Sequence, residues 1–175
     1  MTLFDELILG QLKYGAKKYA GVDGRESTDK LTETYGLEGV LWTMEKYVYR
    51  FENQQLEKDT LKIGAYAYIL WLKFGFNLGK TRLDKLQDTT IITKEYYFPQ
   101  FIKSFEKTFS NFPEIHVPPN LTEELHIVLP FVKYLKHQTE ETVLGIYFLA
   151  SKLFEKHKFT GQNTDTGVQN ATHKA

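Results

Sequence analysis

Residues 35–52 read YGLEGVLWTMEKYVYRFE and residues 56–74 read LEKDTLKIGAYAYILWLKF. In the first stretch Leu37, Val40, Leu41, Met44, Val48 and Phe51 recur at spacings of 3, 1, 3, 4 and 3, the apolar stripe of an amphipathic helix. The second stretch is apolar on almost every side, which predicts the most buried helix of the molecule. Its densest run, IGAYAYILWL over residues 63–72, lies between Lys62 and Lys73 and is too short to span a bilayer. Only Asn53, Gln54 and Gln55 join the two stretches, so they are expected to form an antiparallel helical pair.

Upstream, a helix is expected from about residue 3 to 19, with Asp5 and Glu6 in its opening turn and Lys13, Lys17 and Lys18 near its end, as the macrodipole prefers. Residues 21–34 (GVDGRESTDKLTET) read as a polar loop, and a loop of that length inside a small domain is often functional. Downstream, residues 77–95 carry only weak helical signal, and a short helix is expected over 99–109. A proline-punctuated linker at 111–119 precedes a helix opened by Asn120 and Glu123, a capping box, and running to about 136 with Pro130 inside it. Thr139 is placed to cap a last helix reaching about 158, and 160–175 read as a disordered tail. The fold expected is all-α, an antiparallel helical bundle of about five or six helices. Residues 1–78 form one helical region, 79–159 a second packed on it, and 160–175 the tail.

Composition narrows the function. Apolar residues make up 42% of the 175, enough for a packed core, and thirteen Phe, eleven Tyr and two Trp favour thick helix packing. Lys+Arg and Asp+Glu are 22 each, so the chain lacks the basic field of a duplex binder, and nucleic acid is a minor expectation. With no cysteine, thiolate catalysis and Cys-based zinc sites are excluded. The five histidines form no HExxH pair, and glycine-rich phosphate loops and a G-x-S-x-G elbow are absent. The opening residues show no basic segment followed by an apolar one, and the chain reads as a cytoplasmic protein with no membrane association.

On a helical wheel Glu38 and Glu45, seven residues apart, project together roughly 80–100° from the centre of the apolar stripe. With Asp59 on the next helix they could hold a hard cation such as Mg²⁺, which would screen a phosphate chain and orient an attacking water. Asp59, Lys62, Ile63 and Tyr66 share a face, combining a ligand, a phosphate partner and an aromatic to pack on a base. The same carboxylates equally suit a solvated helix flank, and Asp59 suits the positive end of the helix dipole. Lys46 and Arg50 lie about 180–220° from the stripe and are expected to face solvent unless another element covers them.

Tyr14-Gly15 follows a lysine-bearing helix, Gly39-Val40-Leu41 precedes Lys46 and Arg50, and Asp59-Thr60-Leu61 runs into Lys62, Ile63, Tyr66 and Ala67. In these features residues 13–76 resemble the phage-type nucleotide-modification-associated or dATP/dGTP diphosphohydrolase-like proteins. Through them the stretch is similar to the MazG-like all-α nucleotide pyrophosphohydrolases. The resemblance implies hydrolysis of a (deoxy)nucleoside triphosphate to monophosphate and pyrophosphate, with Mg²⁺, in a homo-oligomer. It implies Glu38 and Glu45 as catalytic residues, Glu38, Glu45 and Asp59 as metal ligands, and Lys46, Arg50 and Lys62 on the phosphates. The chain departs from the family pattern in having no Glu-x-x-Glu on the helix of Glu38, and Lys62 stands three residues after Asp59 where an acid would be expected. The alternative is a non-catalytic helical adaptor that binds a nucleotide or a protein. A weaker one is single-strand binding on Tyr and Phe platforms.

Overall fold

The computed structural model describes the chain apart from residues 20, 22–24, 80–85, 135–139, 163 and 165–175. Among the described residues the fold is all-α, with no strand. Its helices are α1 (Leu3–Tyr19), α2 (Ser27–Tyr35), α3 (Glu38–Gln54), α4 (Glu57–Lys73), α5 (Ile91–Phe109), α6 (Leu121–Tyr134) and α7 (Glu140–Lys156). None of them is long and apolar enough to cross a membrane.

The run that reads as apolar on every side is the centre of the bundle. Residues 67–73 of α4 are all buried, and α1, α3, α5 and α7 surround the helix, α7 most extensively. The α3–α4 pair is antiparallel, since Arg50 meets Asp59 and Tyr47 stacks near Tyr66. The reversal is made at Gln55, whose φ of 51° is left-handed and whose N–H donates to the Phe51 carbonyl at 2.7 Å, closing α3 as a left-handed cap does.

The aromatic wealth goes mainly into the core. Phe98 and Phe101 meet Tyr68 edge-on or tilted, Trp71 and Tyr147 meet Phe101 edge-on, and Phe4 packs against Tyr147. Their polar atoms are satisfied: the Tyr68 hydroxyl donates to the Lys94 carbonyl (2.6 Å), Trp71 Nε1 to Glu140 (3.0 Å) and the Tyr147 hydroxyl to Asp5 (2.6 Å). Because Tyr147 touches both Phe4 and Phe101, residues 1–78 and 79–159 share one core.

Two expectations are corrected. The polar segment 21–34 is not a loop throughout: residues 27–35 are the helix α2. Its inward positions are Asp29 and Thr32, continuing the buried Glu26, so it has no apolar stripe to reveal it. The helix expected at 99–109 starts at Ile91, capped by the Thr90 side chain, and Pro99 lies inside it. The Asn120 cap forms as expected, accepting from the Glu123 N–H at 3.1 Å. Thr139 and most of 160–175 lie outside the described residues. Of the remainder, Gly161 is buried, with φ +85° against Leu7, and its N–H donates to Glu57.

Candidate functional site

The segment 25–33 is bolted down by charge. Arg25 forks onto Asp88 at 3.0 Å and pairs with Glu33 at 2.8 Å. Lys73 Nζ meets Asp29 at 2.7 Å, and Thr89 donates to the same carboxylate through both its N–H (2.9 Å) and its hydroxyl (2.8 Å). Glu26 and Lys94 form a second buried pair at 2.6 Å. Burial alone would raise the Asp29 carboxyl, but the Lys73 ammonium and the Thr89 donors outweigh it and hold it below its ordinary value.

Held this way, α2 covers a cavity of about 490 Å³ that α1, α3, α4 and α5 also line. That volume falls in the range of small-molecule sites. Its floor is made of buried residues, among them Gln11, Leu12, Thr32, Val40, Ile69 and the Glu26–Lys94 pair. Its rim is aromatic and open: Tyr19, Tyr35 and Trp42 are all more than half exposed. Tyr14, Tyr47, Tyr66 and Lys62, all half-buried, also line the cavity. Burial first, then Tyr47, lifts the Tyr66 hydroxyl to about 12, against the opposing effect of Thr28 of α2.

Tyr47 organises the cations. Lys62 Nζ lies 5.1 Å from its ring centroid, Arg50 5.3 Å and Lys46 5.4 Å, and the Tyr66 ring stacks at 6.2 Å. Lys46 also rests on Trp42 at 5.7 Å. The structure therefore gathers Lys46, Arg50, Lys62 and Tyr66 around one aromatic ring. Arg50 does not project into solvent as the wheel placed it, because its long side chain turns onto α4 and pairs with Asp59.

The carboxylates are not gathered. Asp59 is fully buried, and both its oxygens accept from Arg50 Nε. Glu45 faces α6, 3.0 Å from His126 Nδ1, while Glu52 takes the other ring nitrogen. Glu38 is exposed at the start of α3. Among the described residues no group of three His, Asp or Glu side chains is placed to hold a metal ion. Glu38, Glu45 and Asp59 do not fit a shared Mg²⁺, since two of them are committed to basic partners on different helices.

Sequence reading did not single out Gln11, Trp42, Tyr47, Glu26 or Lys94. Trp42 and Tyr47 were detectable in principle as large aromatics off the apolar stripe of α3. Glu26 and Lys94 are 68 residues apart and nothing local connects them. Compared with known proteins, the chain matches no family model, no curated protein and no solved structure.

Proposed function

We propose that this protein binds a nucleotide in the pocket beneath α2, the ring against the aromatic walls and the phosphate beside Lys62 and Lys46. The observation that carries the reading is the cluster of Lys46, Arg50 and Lys62 on Tyr47 at the side of an aromatic cavity. Aromatic faces take up a base without regard to its identity, and an ammonium group at the end of the ring's reach takes up the anion. The Glu26–Lys94 pair neutralises itself, and Lys62 is the other lysine among the lining residues. The resemblance of residues 13–76 to nucleotide-processing helical proteins points to the same ligand class.

Binding is proposed here and not turnover, because hydrolysis on the MazG-like scheme needs Glu38, Glu45 and Asp59 around one cation. Isothermal titration with a panel of nucleosides and their 5′-monophosphates and triphosphates tests the reading, with pyrophosphate release assayed in parallel in Mg²⁺. Monophosphates should bind more tightly than nucleosides, and Lys62→Met should remove about tenfold of that difference. Absence of binding by every nucleotide would sink the proposal. Pyrophosphate release abolished by Glu38→Gln would replace it with the catalytic one.

A further inference from the structure

Gln11 is the unsettled group of the pocket. It sits on the pocket side of α1, only 8% exposed, and its Oε1 is buried with no hydrogen-bond partner. A buried carbonyl in that state is unfavourable and uncommon, so it calls for a specific explanation. Several polar groups around the cavity are already engaged. Glu26 and Lys94 satisfy each other, the Thr32 hydroxyl donates to the Thr28 carbonyl at 2.6 Å, and the Thr43 hydroxyl donates to the Gly39 carbonyl at 2.7 Å. A ligand entering the buried end of the cavity thus meets apolar walls, a closed ion pair and a carboxamide whose oxygen lacks a donor.

We propose that Gln11 reads the edge of the bound ring, and that the ring is an amino-substituted N-heterocycle of the adenine type. Its exocyclic amine donates to Oε1, and the adjacent ring nitrogen accepts from the same carboxamide, the two-point match by which glutamine recognises adenine. The orientation follows from the placement of charge. Lys62 is half-buried and Gln11 buried, so a phosphate held beside Lys62 leaves the base edge to the more buried end of the cavity. This inference rests on the nucleotide-binding reading and adds to it which base is taken and by which residue.

Titration of the full chain with adenosine 5′-monophosphate and with purine riboside 5′-monophosphate, which lacks only the amine, tests it. The wild type should prefer the adenine compound by about tenfold or more, the usual discrimination when a site built for a donor loses it. Gln11→Leu and Gln11→Met should abolish the preference by weakening the adenine compound, leaving the purine compound within about threefold. Since either change removes an unsatisfied carbonyl, the unliganded variants should melt no lower than the wild type. Equal wild-type affinity for the two compounds overturns the inference while leaving nucleotide binding intact. So does a preference that survives both variants, or unliganded variants that both melt lower, which would make Gln11 a structural residue. Failure of the wild type to bind either compound or any other nucleotide overturns the nucleotide reading itself.

Discussion

Arg50 reaches across the α3–α4 hairpin and forks onto Asp59, with its Nε 2.8 Å from Oδ1 and 3.1 Å from Oδ2. Asp59 is fully buried, so its charge depends on this partner. Arg50→Met should therefore destabilise the protein by about 3–5 kcal/mol, because a buried carboxylate is left without a counter-charge. Arg50→Met with Asp59→Leu should recover most of that loss, since a buried ion pair replaced whole by apolar side chains is close to neutral. Urea unfolding of the single and double variants measures the coupling. Equal losses in the single and the double variant would contradict the pairing.

The attachment of α2 should weaken in acid. Lys73 and Thr89 hold the Asp29 carboxyl below its ordinary value of 3.8 against the effect of burial. A folded pKa below the unfolded one means the stabilisation is complete above the unfolded value and is lost as pH falls through the folded one. Stability should thus drop steeply below about pH 4, and Asp29→Asn, already less stable at pH 7, should show a shallower acid limb. Melting temperatures from pH 2.5 to 7 provide the comparison. An acid limb of unchanged slope in the variant would assign the transition to other carboxylates.

These charge pairs explain which parts of the molecule were legible in the sequence. Helices α1, α3, α4 and α7 announce themselves because their inward faces are apolar, and hydrophobic periodicity registers that. The inward face of α2 is Asp29 and Thr32, following Glu26; Asp29 and Glu26 are satisfied by partners more than 40 residues away and Thr32 by the Thr28 carbonyl, so periodicity sees only polar residues. The first two turns of α5 were missed for a related reason. Ile91, Ile92 and Thr93 favour strands by propensity, and Pro99 resembles a helix start. The buried Lys94, paired with Glu26, fixes those turns from outside. For the site, the spacing picked out Lys62 and Tyr66, which do line the pocket, and the resemblance added Lys46 and Arg50, which gather at Tyr47. It also grouped Glu38, Glu45 and Asp59, whose partners Arg50 and His126 a single-helix wheel cannot anticipate.

His126 joins α6 to α3 by placing Nδ1 3.0 Å from Glu45 and Nε2 next to Glu52. Burial lowers its pKa, but hydrogen bonds to Glu52 and Glu45 outweigh this and raise it above 6.5. A raised histidine pKa contributes stability that is complete below the unfolded value and disappears as pH rises through the folded one. The protein should accordingly be more stable at pH 6 than at pH 9, and His126→Gln should flatten that difference. Titration of the His126 ring by NMR measures the shift directly. A midpoint at or below 6.5 would remove the basis of the prediction.

Two helix glycines should respond to alanine with opposite signs. A Cβ on Gly64 of α4 would lie 2.8 Å from both Ile8 Cδ1 and Phe4 Cζ, where α1 crosses. Gly145 of α7 has nothing within 4 Å of that position. Gly145→Ala should stabilise by up to about 1 kcal/mol through helix propensity. Gly64→Ala should instead destabilise, overpacking of about 1–3 kcal/mol outweighing the same propensity gain. Its loss should shrink in an Ile8→Val background, which removes Cδ1. Thermal melts of the wild type, the three single variants and the double variant are sufficient, and a stabilised Gly64→Ala would mean that α1 moves aside freely.

Tyr47 offers the sharpest test of how the pocket gathers charge. Its ring lies within 5.4 Å of Lys62, Arg50 and Lys46, so the three cations share one aromatic face, and Arg50 also pairs with Asp59. Each such contact is worth about 0.5–1 kcal/mol where exposed. Tyr47→Phe keeps the face and should bind a nucleoside monophosphate as the wild type does. Tyr47→Leu removes it, letting Lys46 and Lys62 relax towards solvent, and should weaken the monophosphate by about three- to tenfold. The corresponding nucleoside, which carries no phosphate for the lysines to hold, should lose less. Calorimetry on both variants at low and at 0.3 M salt distinguishes the causes. An electrostatic loss shrinks as salt screens the lysines, whereas a loss of ring contact persists at both concentrations. Equal weakening of nucleoside and monophosphate would show that Tyr47 acts as a wall for the base and not as a support for the cations.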